Sequence, residues 1–78
     1  MDIKTFIQEF EASIEGLEPG TVTPETRFQE LEQWDSLAVL TTIAMVDAEF
    51  EVELTANEIL ACNTIREFAE LVEAKRGR

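Results

Sequence analysis

The sequence predicts an all-α fold of four helices, with a long loop after the first helix and a short third helix, in one domain covering residues 1–78. Three observations carry this. Apolar residues recur at helical spacing over residues 3–17 and again from Ile65 onward. A mostly apolar run extends from Ser36 to Phe50, too long for an ordinary strand. Two S/T-x-x-E sequences, Thr55 with Glu58 and Thr64 with Glu67, mark further helix starts, because hydroxyl and carboxylate together satisfy the first free backbone N–H groups.

Taken in order, Ile3, Phe6, Ile7, Phe10, Ile14 and Leu17 form one buried stripe, while Lys4, Gln8, Glu9, Glu11 and Glu15 occupy the opposite face. Asp2 is placed to cap this first helix, and Gly16, Pro19 and Gly20 end it. The connection over residues 18–35 is long for a compact domain. Val22, Phe28 and Leu31 interrupt its polar residues as anchors, so it is expected to be ordered, with one helical turn at residues 28–31. Trp34 reads either as a further anchor or as an aromatic contact for a partner.

The second helix is expected at Ser36–Phe50, with Asp35 as its N-cap. At about 100° per residue, Val39, Ile43, Val46 and Phe50 share one side and should face the core. Leu37, Leu40, Thr41, Ala44 and Ala48 project away from that side, Asp47 borders both groups, and Met45 is expected toward solvent. A helix apolar on two sides is either wholly buried or offers one side to a partner. The favoured reading is a partner-binding face of Leu37, Leu40, Thr41, Ala44, Asp47 and Ala48, flanked by Glu30, Glu32 and Glu49.

Residues 51–54, Glu-Val-Glu-Leu, alternate like a strand but have nothing to pair with, so a loop is expected. A short helix follows over residues 56–61, and a last one over residues 65–75 buries Ile65, Phe68, Ala69 and Val72. Cys62 between them reads as a small buried residue. Lys75, Arg76 and Arg78 place positive charge at the closing helix terminus, where the macrodipole favours it.

Seventeen acidic residues against six basic ones give a formal charge of -11. That excludes nucleic acid as a partner, since binding phosphates needs a basic stripe. It suits either plain solubility or docking onto basic protein surfaces. With no His and one Cys, most nucleophilic and metal-ligand arrangements are missing. No apolar run reaches membrane-spanning length and no secretory signal opens the chain, so a soluble, cytoplasmic monomer without membrane contact is expected.

Ser36 is the residue with chemistry to offer. As a hydrolytic nucleophile it lacks a base, because the chain has no His and its lysines, Lys4 and Lys75, lie near the ends. As an acceptor of a phosphate group it is well placed, because the first turn of a helix stabilises negative charge. Asp35 beside it can cap the helix and help to hold Mg²⁺ during a transfer. A bare helix start is the plain alternative.

Asp35-Ser36-Leu37, with this length, acidity, loop and helix order, resembles the acyl carrier proteins; so do Phe28 and Leu31, Ala48-Glu49-Phe50, and Thr64-Ile65. The resemblance covers essentially the whole chain and implies a four-helix acyl-carrier-protein-like bundle that catalyses nothing itself. It implies covalent 4'-phosphopantetheine on Ser36, assistance from Asp35 in the transfer, and Leu37 read by the transferase and other partners. The implied partners are a phosphopantetheinyl transferase and acyl-loading and acyl-processing enzymes with basic docking surfaces. The sequence departs from fatty-acid carriers at Glu32-Gln33-Trp34, where a glycine is usual, and at Ala38, Thr41 and Ala48, where acids are common. The expected role is therefore a stand-alone carrier in a specialised pathway, such as a polyketide, surface-polysaccharide or hybrid route. An aminoacyl or peptidyl carrier, or an unmodified acidic helical adaptor, is the alternative.

Overall fold

A computed structural model describes residues 2–77. Its helices are α1 (Ile3–Ser13), α2 (Ser36–Phe50), α3 (Ala56–Leu60) and α4 (Ile65–Arg76), with a single 3-10 turn at Phe28–Glu30 in the first loop. The four-helix order, the long first loop and the short third helix are those expected. Helix α2 touches all three others, and α1 also packs on α4.

Each helix starts where its capping residue stands. Asp2 accepts from the Lys4 N–H and Asp35 from the Ala38 N–H. Thr55 with Glu58 and Thr64 with Glu67 both form the reciprocal box. Helix α2 ends at Glu51, whose φ of 58° is left-handed and whose N–H returns to the Asp47 carbonyl. Residues 51–54 are loop, with Val52 and Leu54 turned into the core. Lys75 and Arg76 lie in the last turn of α4; Arg78 is outside the described residues.

Phe68 of α4 holds the core together. Its ring lies 5.1 Å from Phe6, 5.3 Å from Phe28 and 6.4 Å from Phe10. Edge-to-face and tilted arrangements of this kind add roughly 0.5–1.5 kcal/mol per pair beyond area burial. Ile65, Phe68, Ala69 and Val72 are all buried, as the α4 spacing predicts.

Two expectations about α1 need correction. The helix stops at Ser13, a turn short of Leu17, because the Ser13 hydroxyl donates to the Phe10 carbonyl and Ile14 turns extended. Gly16, at φ 86°, then reverses the chain so that both Ile14 and Leu17 still reach the core. Glu11 is not on the solvent face. It is only 4% exposed, and its Oε2 accepts from the N–H groups of Gly20 and Val22 at 3.0 and 2.9 Å. One side-chain oxygen thus ties the loop to α1.

Helix α2 is rotated from the expected setting. Ala38, Thr42, Met45, Val46 and Phe50 are buried, whereas Val39 and Ile43 are only half-buried. Met45 therefore faces the core and not solvent. The physical reason is that α2 is covered on more than one side, since α1, α3 and α4 all pack against it, so Ala38, Thr42 and Met45 are buried along with Val46 and Phe50. Thr42 is drawn fully inside, and its hydroxyl has no hydrogen-bond partner among the described residues.

Candidate functional site

The first loop is built to present the start of α2. Val22 and Phe28 are buried, and Trp34, half-buried, stacks on Phe10 at 6.1 Å and meets the Phe28 ring edge-on at 5.0 Å. Trp34 is an anchor, the first of its two readings. Its backbone N–H donates to the Leu31 carbonyl at 3.0 Å, which sets the turn immediately before Asp35. Gln33 adds a bond from its Nε2 to the Gly16 carbonyl at 3.3 Å, tying the same turn to the end of the α1 connection.

From that anchored turn, Asp35 begins the helix. Its Oδ1 accepts from the Ala38 N–H at 2.8 Å, and its carbonyl from the Val39 N–H at 3.1 Å. Among the described residues, its other carboxylate oxygen accepts no hydrogen bond. Ser36 is the first residue of α2 and is exposed, and its hydroxyl likewise has no partner among the described residues. The backbone N–H groups of a first helical turn have no acceptor within the helix and carry the positive end of its dipole. An exposed hydroxyl is thus set where a phosphodiester's negative charge is stabilised.

Beside it lies an apolar surface. Leu37 is 65% exposed and Leu40 64%, far beyond what large apolar side chains usually show. Ala44, Asp47 and Ala48 continue this exposed side, while Thr41 is half-buried at its border with α1. Glu30, Glu32, Asp47 and Glu49 are exposed, as expected. Sequence reading gave no exposure for one further large apolar residue: Leu60, at the end of α3, is 50% exposed. Its five-residue helix was too short for a periodic signal to assign a face.

Elsewhere there is little to build other chemistry from. Among the described residues no three His, Cys, Asp or Glu side chains gather to hold a metal, and no helix is long and apolar enough to cross a membrane. Cys62 is buried, and desolvation, with Glu67 and Glu58 nearby, pushes its thiol pKa up, away from reactivity.

The family model described as "Phosphopantetheine attachment site" matches residues 5–72, which span α1, the loop, the Asp35-Ser36 start of α2 and most of α4. The chain belongs to this phosphopantetheine-attachment family. No solved structure matches it.

Family membership makes the protein a carrier of covalent 4'-phosphopantetheine and not an enzyme. The residues at the head of α2 fit that group: an exposed hydroxyl with no partner among the described residues, and first-turn N–H groups for a phosphate. When attached, the group supplies a flexible arm ending in a thiol that carries cargo as a thioester.

Proposed function

We propose that Ser36 is the attachment residue and that the protein carries acyl intermediates in a specialised biosynthetic pathway. The observation that carries this is the Ser36 hydroxyl itself, exposed and without a partner among the described residues at the first position of α2. In the transfer its Oγ gives its proton to a base of the transferase and forms a bond to the pantetheine-side phosphorus of coenzyme A, as the pyrophosphate P–O bond breaks and adenosine 3',5'-bisphosphate leaves. Asp35 holds the first turn in register through Ala38, and its second carboxylate oxygen is free to assist, for instance through Mg²⁺ held by the transferase. Leu37, Leu40, Thr41, Ala44, Asp47 and Ala48 form the surface on which the transferase and the acyl-handling enzymes dock. The acids around it steer basic partners to a small apolar contact, which suits fast and reversible exchange.

The acyl cargo is supported by the resemblance to acyl carriers, and the specialised pathway by Ala38, Thr41 and Ala48 standing where fatty-acid carriers often have acids. Incubation with coenzyme A and a broad-specificity phosphopantetheinyl transferase tests the assignment by intact mass. The wild-type chain should gain one phosphopantetheine and Ser36→Ala none. A Ser36→Ala chain that still gains the group would move the attachment elsewhere. A wild-type chain left unchanged by several transferases would favour an unmodified adaptor. Cargo is read by mass after incubation with candidate loading enzymes, where loading by an aminoacyl-activating enzyme alone would replace acyl with aminoacyl.

A further inference from the structure

Helix α3 has five residues, about one and a half turns, well short of the length at which a helix persists unaided. Its start is held by the Thr55–Glu58 box, its flank by Lys75 Nζ at 2.8 Å from both Glu58 carboxylate oxygens, and its middle by the fully buried Ile59. The terminal carbonyls of a helix need partners from outside it. Here the Ala61 and Cys62 N–H groups donate to the Asn57 and Ile59 carbonyls, and one side chain covers what is left: Gln29 Nε2 lies 3.1 Å from the Leu60 carbonyl, 2.6 Å from that of Cys62, just past the helix, and 3.5 Å from that of Ile59.

Gln29 belongs to the 3-10 turn of the first loop, so the clasp joins α3 to the segment that leads to Ser36. The next links are short and continuous. Phe28, its neighbour, is fully buried with its ring edge-on to Trp34 at 5.0 Å. The Phe28 carbonyl accepts from the Leu31 N–H, and the Leu31 carbonyl from the Trp34 N–H, at 3.2 and 3.0 Å. Trp34 is followed directly by Asp35, whose carboxylate sets the first turn of α2. Leu60, whose carbonyl is clasped, is also the one exposed large apolar side chain of α3 among the described residues.

We propose that Gln29 is a latch that couples the seating of α3 to the geometry of the Ser36 helix start. Contact at Leu60 that lifts the end of α3 loosens the turn holding Asp35, and a change at Ser36 is returned to α3, since coupling between two sites is reciprocal. A partner that touches α3 thereby senses the state of the attachment point without touching it. This meaning for α3 rests on Ser36 being the attachment residue, but the mechanical coupling does not.

Trp34 is the chain's one tryptophan and there is no tyrosine, so its emission reports the turn before Ser36 directly. Thr55→Ala removes the α3 cap without touching the loop. In the unmodified full chain it should speed amide hydrogen exchange at Leu60, Ala61 and Cys62 about five- to tenfold, the usual consequence of a lost cap. The same change should shift Trp34 emission and speed exchange at Ala38 and Val39. In a Gln29→Met background, which keeps the bulk and removes the donor, Thr55→Ala should still speed α3 exchange while Trp34, Ala38 and Val39 no longer respond. The proposal is overturned if α3 loosens in the Gln29 chain while Trp34 emission and Ala38 exchange stay put, a comparison that needs no change at Gln29. It also falls if the response survives in Gln29→Met, or if Thr55→Ala leaves α3 untouched. Because these readings use unmodified protein, the mass gain at Ser36 decides the attachment reading separately.

Discussion

Helices α4 and α2 are both rich in apolar residues, yet only one of them has a single buried side. In α4, charged residues fill most positions off the stripe, with Leu71 half-buried at its edge and Ala74 exposed, so Ile65, Phe68, Ala69 and Val72 have only one way to turn. In α2 the only charged residues are Asp47 and Glu49, both in its second half, and the helix carries apolar residues around its whole circumference. Rotation of α4 is written in its polar residues; rotation of α2 is decided by what packs on it. The difference is functional as well as structural, because the polar restraint missing from α2 is what leaves Leu37 and Leu40 free to face outward.

The largest effect should come from the one-sided helix. Phe68→Ala removes the ring shared by Phe6, Phe10 and Phe28 and should cost about 3–5 kcal/mol. That is comparable to the whole stability of a domain this small, so circular dichroism should show no cooperative melt above 25 °C. Within α2, the contrast between its two sides should appear as a gap between variants. Val46→Ala, fully buried, should cost about 1–3 kcal/mol in chemical denaturation, and Leu40→Ala about 0.5 kcal/mol or less while slowing modification by the transferase. Equal destabilisation by both would mean that α2 has no free side.

Thr42→Val should act in the opposite direction. It removes a buried hydroxyl that has no partner among the described residues and should raise stability by about 1 kcal/mol, read as a higher denaturation midpoint at unchanged slope. The smallest effect lies where α2 meets α1. Hydrogen bonding to the Glu49 carboxyl, then desolvation, then charge repulsion from Glu49 push the Glu9 pKa above the ordinary carboxylate value. A raised folded-state pKa means stability present below the unfolded value and lost as pH rises through the folded one. The melting temperature should therefore fall slightly as pH rises from 4 toward neutral, and Glu9→Gln should flatten that slope. The Glu58 carboxyl, held down first by Lys75 and next by the Thr55 N–H, works in reverse, losing its contribution as pH falls through its lowered value. Lys75→Met should thus remove some acid sensitivity, separating the two.

What the sequence made legible follows the same division. Caps and periodic stripes are local, so Asp35, Thr55, Thr64 and the buried face of α4 could be read from spacing alone. Ser36 at the head of α2 was legible for the same reason. Glu11 was not, because its partners, the Gly20 and Val22 N–H groups, come from a loop that no periodicity describes. Met45 was misread, and Thr42 left unplaced, because nothing in an apolar helix distinguishes the side covered by a neighbour from the side left bare. The Gln29 clasp had no signal at all: a lone glutamine in a loop gives no hint of carbonyls about thirty positions away.

The loop before Ser36 is fastened to the far end of the chain. The Thr26 and Pro24 carbonyls accept from the first N–H groups of α4, Ile65 and Arg66, and Glu25 pairs with the Arg66 guanidinium across 41 positions. In kinetic terms these are the non-local contacts whose loop-closure cost is met late in folding. A chain emerging from the ribosome would have α2 and its serine in hand before α4 exists to hold the approach to it. The approach to Ser36 is thus a late-maturing feature, complete only once the helix that follows it by about thirty positions is present.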